Sequence, residues 1–251
     1  MMSNLPVSHW HDEASQKKKK LSRTRIQNYL NCQRCFYLEE VYGLSRVSMP
    51  PFLINSTVDS LLKKEFDLYR EEQQPHPYFE LCALNAIPAQ HPELNTWRNV
   101  FSGVKYMIDD VLIFGGIDDL WINSDNEYIV ADYKATAKKD VPSIEGKYGK
   151  IYKNQIEFYQ WLLRKNELKV SNDAYFVYCN GKKNLERFDN KVEFDVHMIK
   201  HVGSDDWVEQ TIKDAIDCLK SEEVPSASTE CEHCNYVKNR HNIGKSIKDQ
   251  S

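Results

Sequence analysis

The sequence predicts an α/β (α+β) domain in which helices flank a small mixed sheet, and three observations carry that prediction. Two apolar, β-branched runs, 111–121 and 127–134, are joined by Asn123-Ser124-Asp125-Asn126 and read as a β-hairpin. Further strands are expected over 173–179, ending at Asn180-Gly181, and over 192–196. Apolar residues recurring every three or four positions mark helices before, between and after these strands.

The elements follow in order. Ser22 is placed to cap a helix carrying Ile26, Tyr29 and Leu30 up to the Cys32-Gln33-Arg34-Cys35 turn. The chain continues through Phe36, Tyr37, Leu38 and Val41 to Gly43, a helix stop. After the Pro50-Pro51 break, Ile54, Val58, Leu61, Leu62, Phe66 and Tyr69 define a second helix whose polar face carries Lys63, Lys64, Asp67 and Arg70. Residues 73–96, rich in Gln, Pro and His, read as a connecting excursion with little regular structure. Residues 151–163 form an amphipathic helix, and 207–219 another before Pro225.

Composition bounds the rest. A chain of 251 residues with 41% hydrophobic content can build a core and lies outside the disordered range. One compact domain is expected over 21–240, between a flexible polar tail, 1–20, that ends in Lys17 to Lys20, and a flexible tail at 241–251. No run approaches the roughly 18 apolar residues of a membrane span, and the start lacks the apolar stretch of a signal peptide, so a cytoplasmic protein without a membrane partner is expected. Seven cysteines are too few for a disulfide scaffold of this size, and the odd count points to thiols or metal ligands. The formal charge of −4 excludes a uniformly basic surface, so any nucleic-acid contact needs a local patch. Residues 134–153 supply one, with six lysines against Asp140 and Glu145.

Gly115-Gly116-Ile117-Asp118 lies in the first hairpin strand and Ala131-Asp132-Tyr133-Lys134 near the end of the second, so pairing brings Asp118 and Asp132 together. Two carboxylates and a lysine crowded at a hairpin end repel unless something offsets the charge, and a divalent cation is the usual solution. Asp132 and Lys134 are two residues apart and share one face of the strand. The structural alternative is that Asp118 and Asp119 merely end a strand while Lys134 pairs with Asp132 at the surface. Gln155 and Tyr159 are four apart on the following helix and project from one face; an amide and a phenol there suit phosphate or base contacts, or are ordinary half-buried polar residues.

Taken together, Ser-Arg-Thr-Arg-Ile-Gln-Asn-Tyr-Leu-Asn-Cys at 22–32, Gly-Gly-Ile-Asp at 115–118, Asp-Tyr-Lys at 132–134, and Gln155 with Tyr159 resemble the PD-(D/E)xK nucleases of the RecB type. That group includes exonuclease domains of recombination helicase-nucleases and CRISPR-adaptation nucleases with iron-sulfur clusters. The resemblance runs from about residue 22 to 240. It implies a restriction-endonuclease-like mixed sheet and Mg²⁺- or Mn²⁺-dependent hydrolysis of DNA, single-stranded or with free ends, in repair, recombination or defence, with a helicase or recombination partner. By the same resemblance Asp118 and Asp132 bind the metal, the Tyr133 carbonyl completes its coordination, and Lys134 holds or activates the attacking water. Gln155 and Tyr159 match the family's Gln-x-x-x-Tyr motif. One position departs from the pattern. Where the family carries Gly-x-x-x-His on its early helix, this chain has Asn55 and Asp59, and aspartate is a hard oxygen ligand suited to Mg²⁺.

Cys32 and Cys35 form one C-x-x-C, and Cys231 and Cys234 a second, which together predict a shared four-cysteine metal site joining the N- and C-terminal segments. The iron-sulfur nucleases that the chain resembles divide their cysteines one and three. Here the division is two and two, with Arg240 or His241 near where a third C-terminal cysteine would fall, so Zn²⁺ and an iron-sulfur cluster both fit. Cys82, Cys179 and Cys218 lack partner spacing and are expected to be core thiols. Two other functions are compatible with these features: a non-catalytic nucleic-acid-binding module of the same fold with a structural metal, and a zinc-stabilised protein-interaction domain without DNA affinity.

Overall fold

The computed structural model describes residues 8, 10–11, 18–47 and 52–248. In chain order the elements are β1 (Lys19–Ser22), α1 (Arg23–Asn31), α2 (Gln33–Tyr42), α3 (Leu53–Glu72), a 3₁₀ turn (Pro77–Cys82), β2 (Ala86–Pro88), α4 (Leu94–Arg98), β3 (Val104–Ile108) and β4 (Val111–Gly115). They continue with β5 (Asp119–Asn123), β6 (Tyr128–Thr136), α5 (Gly146–Lys165), β7 (Asp173–Gly181), β8 (Phe194–Val202), α6 (Val208–Lys220) and α7 (Glu232–Lys248). The chain divides into two compact units. One comprises residues 1–49, 109–112 and 209–251, and the other 50–108 and 113–208.

The second unit carries the larger sheet, in the order β2-β5-β6-β7-β8. Strands β5 and β6 form the expected antiparallel hairpin, with Asp119 opposite Ala131 and Ile122 opposite Tyr128. Strand β7 runs parallel to β6, a pairing that needs a crossover, and α5 supplies it. Strand β8 closes the sheet antiparallel to β7 over nine residues, longer than the expected 192–196. On one face of the sheet, Val58, Leu62 and Phe66 of α3 pack with Phe79, Trp121, Ile129, Ala131, Tyr133, Tyr175 and Val177. The Phe66 ring stacks between Trp121, at 5.5 Å, and His76, at 3.9 Å. Helix α5 buries Ile156, Phe158, Tyr159, Trp161, Leu162 and Leu163.

Two expectations need correction here. The run 111–121 is not one strand but β4 and β5, interrupted at Gly116-Ile117-Asp118. The chain after α4 passes so near that a Cβ on Gly116 would sit 3.1 Å from Val100 Cα, and one on Gly103, whose φ is +53°, would sit 2.6 Å from the Gly115 carbonyl oxygen. Ile117 N–H donates to the Trp97 carbonyl at 3.0 Å instead of to a neighbouring strand. Residues 73–96 are likewise more regular than expected. They hold the 3₁₀ turn, the start of α4, and edge strand β2, which pairs with β5 through Ala86–Asn123 and Pro88–Trp121; proline is tolerated there because an edge strand has a free side.

In the first unit, the Ser22 hydroxyl caps α1 by accepting from Arg25 N–H at 3.3 Å, and Gly43 ends α2 in the left-handed conformation, both as expected. Trp10 is buried, His11 Nε2 lies 2.9 Å from the Leu219 carbonyl, Lys19 and Lys20 open β1, and α7 extends through 241–248; most of residues 1–17, Lys17 among them, and residues 249–251 lie outside the described residues. Among the described residues no helix is long and apolar enough to cross a membrane.

Candidate active site and cysteine centre

The period-two alternation of the hairpin sorts its polar residues by face. Asp119, Ala131 and Tyr133 point to the α3 side, whereas Asp132 and Lys134 point to the α5 side. Asp119 is fully buried. A carboxylate without water must be paired, and this one is: Oδ1 accepts from Arg70 Nη2 at 2.5 Å, Arg98 Nη2 at 2.7 Å and Leu120 N–H at 2.8 Å, while Oδ2 accepts from Tyr133 OH at 2.6 Å and Trp121 Nε1 at 3.1 Å. Asp67 receives both Nη1 contacts of Arg98 at 2.8 Å, so two arginines meet two aspartates and the cluster is neutral. Burial, then the Asp119 charge, holds the Tyr133 hydroxyl well above the usual phenol range, keeping it a donor.

Asp118 stands one residue before the ladder, level with Asp132 in register, and Arg98 Nε donates to its carbonyl at 3.1 Å. Its Oδ2 accepts from Tyr133 N–H at 3.0 Å. Because N–H and C=O of one residue leave a strand on the same side, the Tyr133 carbonyl also points to this edge. Asp118 Oδ1 lies 3.4 Å from Lys63 Nζ, which also donates to Asp59 Oδ2 at 2.8 Å. Asp132 is fully buried; Gln155 Nε2 donates to its Oδ1 at 2.8 Å and the Lys134 ammonium is paired with its Oδ2. Gln155 Nε2 also lies 3.3 Å from Tyr159 OH, and the Lys134 ammonium sits 4.8 Å above the Tyr152 ring.

The structure thus brings together Asp59, Asp118, Asp132, Tyr133, Lys134, Gln155 and Tyr159, and adds Lys63. Burial disfavours the charge on both lysines but is outweighed, by Asp132 and Asp118 for Lys134 and by Asp118 and Asp59 for Lys63, so both pKa values rise. Burial, then the like charge of Asp118, pushes the Asp59 carboxyl up. Three carboxylates against two ammonium groups leave one net negative charge, and every anionic donor is a hard oxygen. That set fits Mg²⁺ or Mn²⁺ and does not suit a soft ion.

In the first unit the four cysteine sulfurs lie within 4.8 Å of one another, and among the described residues no other set of three or more His, Cys, Asp or Glu donors gathers so closely. The separations are 3.3 Å for Cys35–Cys234, 3.7 Å for Cys35–Cys231 and 3.9 Å for Cys32–Cys234. Arg46 Nη2 is 3.8 Å from Cys231 Sγ, a cation that sequence spacing gave no reason to expect. Burial raises the Cys32 thiol, but Ser228 N–H at 3.5 Å and the neighbouring Cys35 and Cys231 bring it down to about 7. Of the remaining thiols, Cys179 is buried and pushed up to about 11 by burial and then Glu65, while Cys82 and Cys218 are half-buried.

The model of the PD-(D/E)XK nuclease superfamily matches residues 55–238, and the chain belongs to that superfamily. No curated protein gives a significant match. Among solved structures the chain is similar to the one described as "Crystal structure of SSO0001", with 15% identity, a TM-score of 0.41, and coverage of 84% of this chain and 81% of that one. That likeness is too distant to inform the chemistry.

The charge cluster has a measurable consequence. Asp119→Ala leaves two buried arginines, a phenol and an indole short of an acceptor, and should cost about 3–5 kcal/mol in chemical denaturation. Asp118→Ala, at a partly solvated position, should cost no more than about 1 kcal/mol.

Proposed function

We propose that the chain is a Mg²⁺- or Mn²⁺-dependent deoxyribonuclease whose site is built on Asp118, Asp132 and Lys134. The observation that carries this reading is the set itself: two carboxylates, one just before β5 and one on β6, level in register, with the Lys134 ammonium paired to the second. A divalent cation held by Asp118 and Asp132, with Asp59 and the Tyr133 carbonyl completing the oxygen donors, would supply a water of lowered pKa and polarise a phosphoryl oxygen. Lys134 keeps its proton, so its role is to orient the attacking water and offset charge on the phosphorane-like transition state. Gln155 fixes the Asp132 carboxylate, and Tyr159 fixes Gln155.

The substrate reading rests on the surface beside Lys134. Lys134, Lys138, Lys147, Tyr148, Tyr152 and Tyr178 line a cleft of about 270 Å³, and Tyr148 is exposed. Ammonium groups interleaved with aromatic rings suit phosphates and unstacked bases, which favours single strands or free ends. In cleavage assays with Mg²⁺ or Mn²⁺ on single- and double-stranded DNA, Asp118→Ala and Lys134→Ala should each lower the rate by at least about a hundredfold; Asp118→Ala should melt near wild type, whereas Lys134→Ala, which leaves the buried Asp132 without its cation, should melt lower. Wild-type rates in both would refute the assignment, and wild-type binding without turnover over these metals would favour the nucleic-acid-binding module instead.

For the cysteine centre we infer one tetrahedral ion, Zn²⁺. With Zn–S near 2.3 Å, the sulfurs of a tetrahedral site stand about 3.8 Å apart, close to the separations here. In a four-iron cube each thiolate binds a different iron, which spreads the sulfurs wider. Anaerobically purified protein should contain about one zinc per chain, and Cys231→Ser should lower the melting temperature far more than Cys82→Ser. About four irons per chain would overturn the choice of ion, and metal-free protein with unchanged melting would overturn the centre.

A further inference from the structure

All four oxygens of the two central carboxylates already have partners, and the partners differ in how firmly they are held. Tyr133 N–H belongs to the backbone, and Gln155 and Lys134 approach the fully buried Asp132 from the α5 side. Lys63 is different. It reaches from α3 on a long, flexible stem, its distance of 3.4 Å to Asp118 Oδ1 is the longest of these contacts, and it bridges two carboxylates from separate elements, Asp59 on α3 and Asp118 before β5. Both carboxylates and the ammonium retain some solvent access, at 33%, 23% and 21% of their side-chain surface, so an ion can enter and the ammonium can leave.

An ammonium bridging two like charges sits where a cation gains most from both. A dication cannot share that place with it, because the same proximity turns attraction into repulsion. Resting on the nuclease reading above, we propose that Lys63 is a resident counter-cation: it holds Asp59 and Asp118 together in the metal-free protein and is displaced when the divalent ion binds. Lys63 is thus a positioning residue that sets the threshold for metal loading. Asp59 gains its role from the same exchange. In the metal-free state it is the anchor that keeps Lys63 in place, four residues along the same helical face.

The test measures Mn²⁺ affinity, by titration calorimetry or by the electron-spin resonance of free Mn²⁺, on the full chain with its cysteine centre loaded. Lys63→Met should bind Mn²⁺ roughly threefold or more tightly than wild type, and Lys63→Arg, which keeps the charge, should bind like wild type. Lys63→Gln supplies the same loss of charge if the methionine variant melts early. Asp118→Asn serves as the reference for the site itself and should lose the Mn²⁺ signal. Unchanged or weaker binding in both neutral variants, with Asp118→Asn still silent, would overturn the displacement proposal and leave the metal site standing. Equal binding by wild type and Asp118→Asn, or none in either, would overturn the metal site and the proposal together.

Discussion

The fully buried carboxylate of Asp119 constrains the arrangement of the second unit. Taking that charge out of water is tolerable only because Arg70 from α3, Arg98 from α4, the Trp121 indole and the Tyr133 phenol all converge on it. Each of those donors is rooted in a different element or strand, so the requirement to satisfy one anion fixes helix, connection and hairpin relative to one another. The Phe66 ring packs against Trp121 and Tyr133, the two aromatic residues that donate to the fully buried Asp119.

The geometry of the candidate site inherits that constraint through the chain. Residue 119 pointing inward forces its neighbour 118 toward the open edge, and Tyr133, whose side chain serves Asp119, offers its backbone N–H to Asp118. One residue of β6 therefore links the buried cluster to the half-buried carboxylate of Asp118. On the opposite face, Asp132 is held by Gln155 and Lys134, so the two carboxylates are positioned from both sides of the sheet. The cysteine centre is a separate matter of chain topology: it ties residues 32 and 35 to 231 and 234 within the first unit, a closure across most of the sequence.

Much of this was legible in the sequence because the local signals were strong. The 123–126 turn and the apolar, β-branched runs on either side of it defined the hairpin, the spacing between Asp118 and Asp132 placed them level, and two C-x-x-C pairs identified the sulfur cluster. What escaped was governed by tertiary contacts. The β4–β5 break depends on the close passage of the chain at Val100, which no pattern around Gly115-Gly116 reveals, and β2 exists only because β5 offers an edge. Asp119 looked like an ordinary strand-end residue beside Asp118, and Arg70 and Arg98 lay on polar or irregular stretches with nothing to announce burial. Lys63 is the exception among the omissions, since its position four residues after Asp59 was a readable ion-pair signal.

The buried cluster positions Asp118, and the exchange rate of the Tyr133 amide proton reports on that positioning directly. That amide has Asp118 Oδ2 as its acceptor, and Arg98 connects the Asp118 carbonyl to Asp119. Measured by hydrogen exchange in Arg98→Met, the Tyr133 amide should lose protection by at least about tenfold, while Val177 on the neighbouring strand, buried in the sheet core, exchanges as in wild type. Unchanged protection at Tyr133 in a folded Arg98→Met protein would contradict a link from the buried cluster to Asp118.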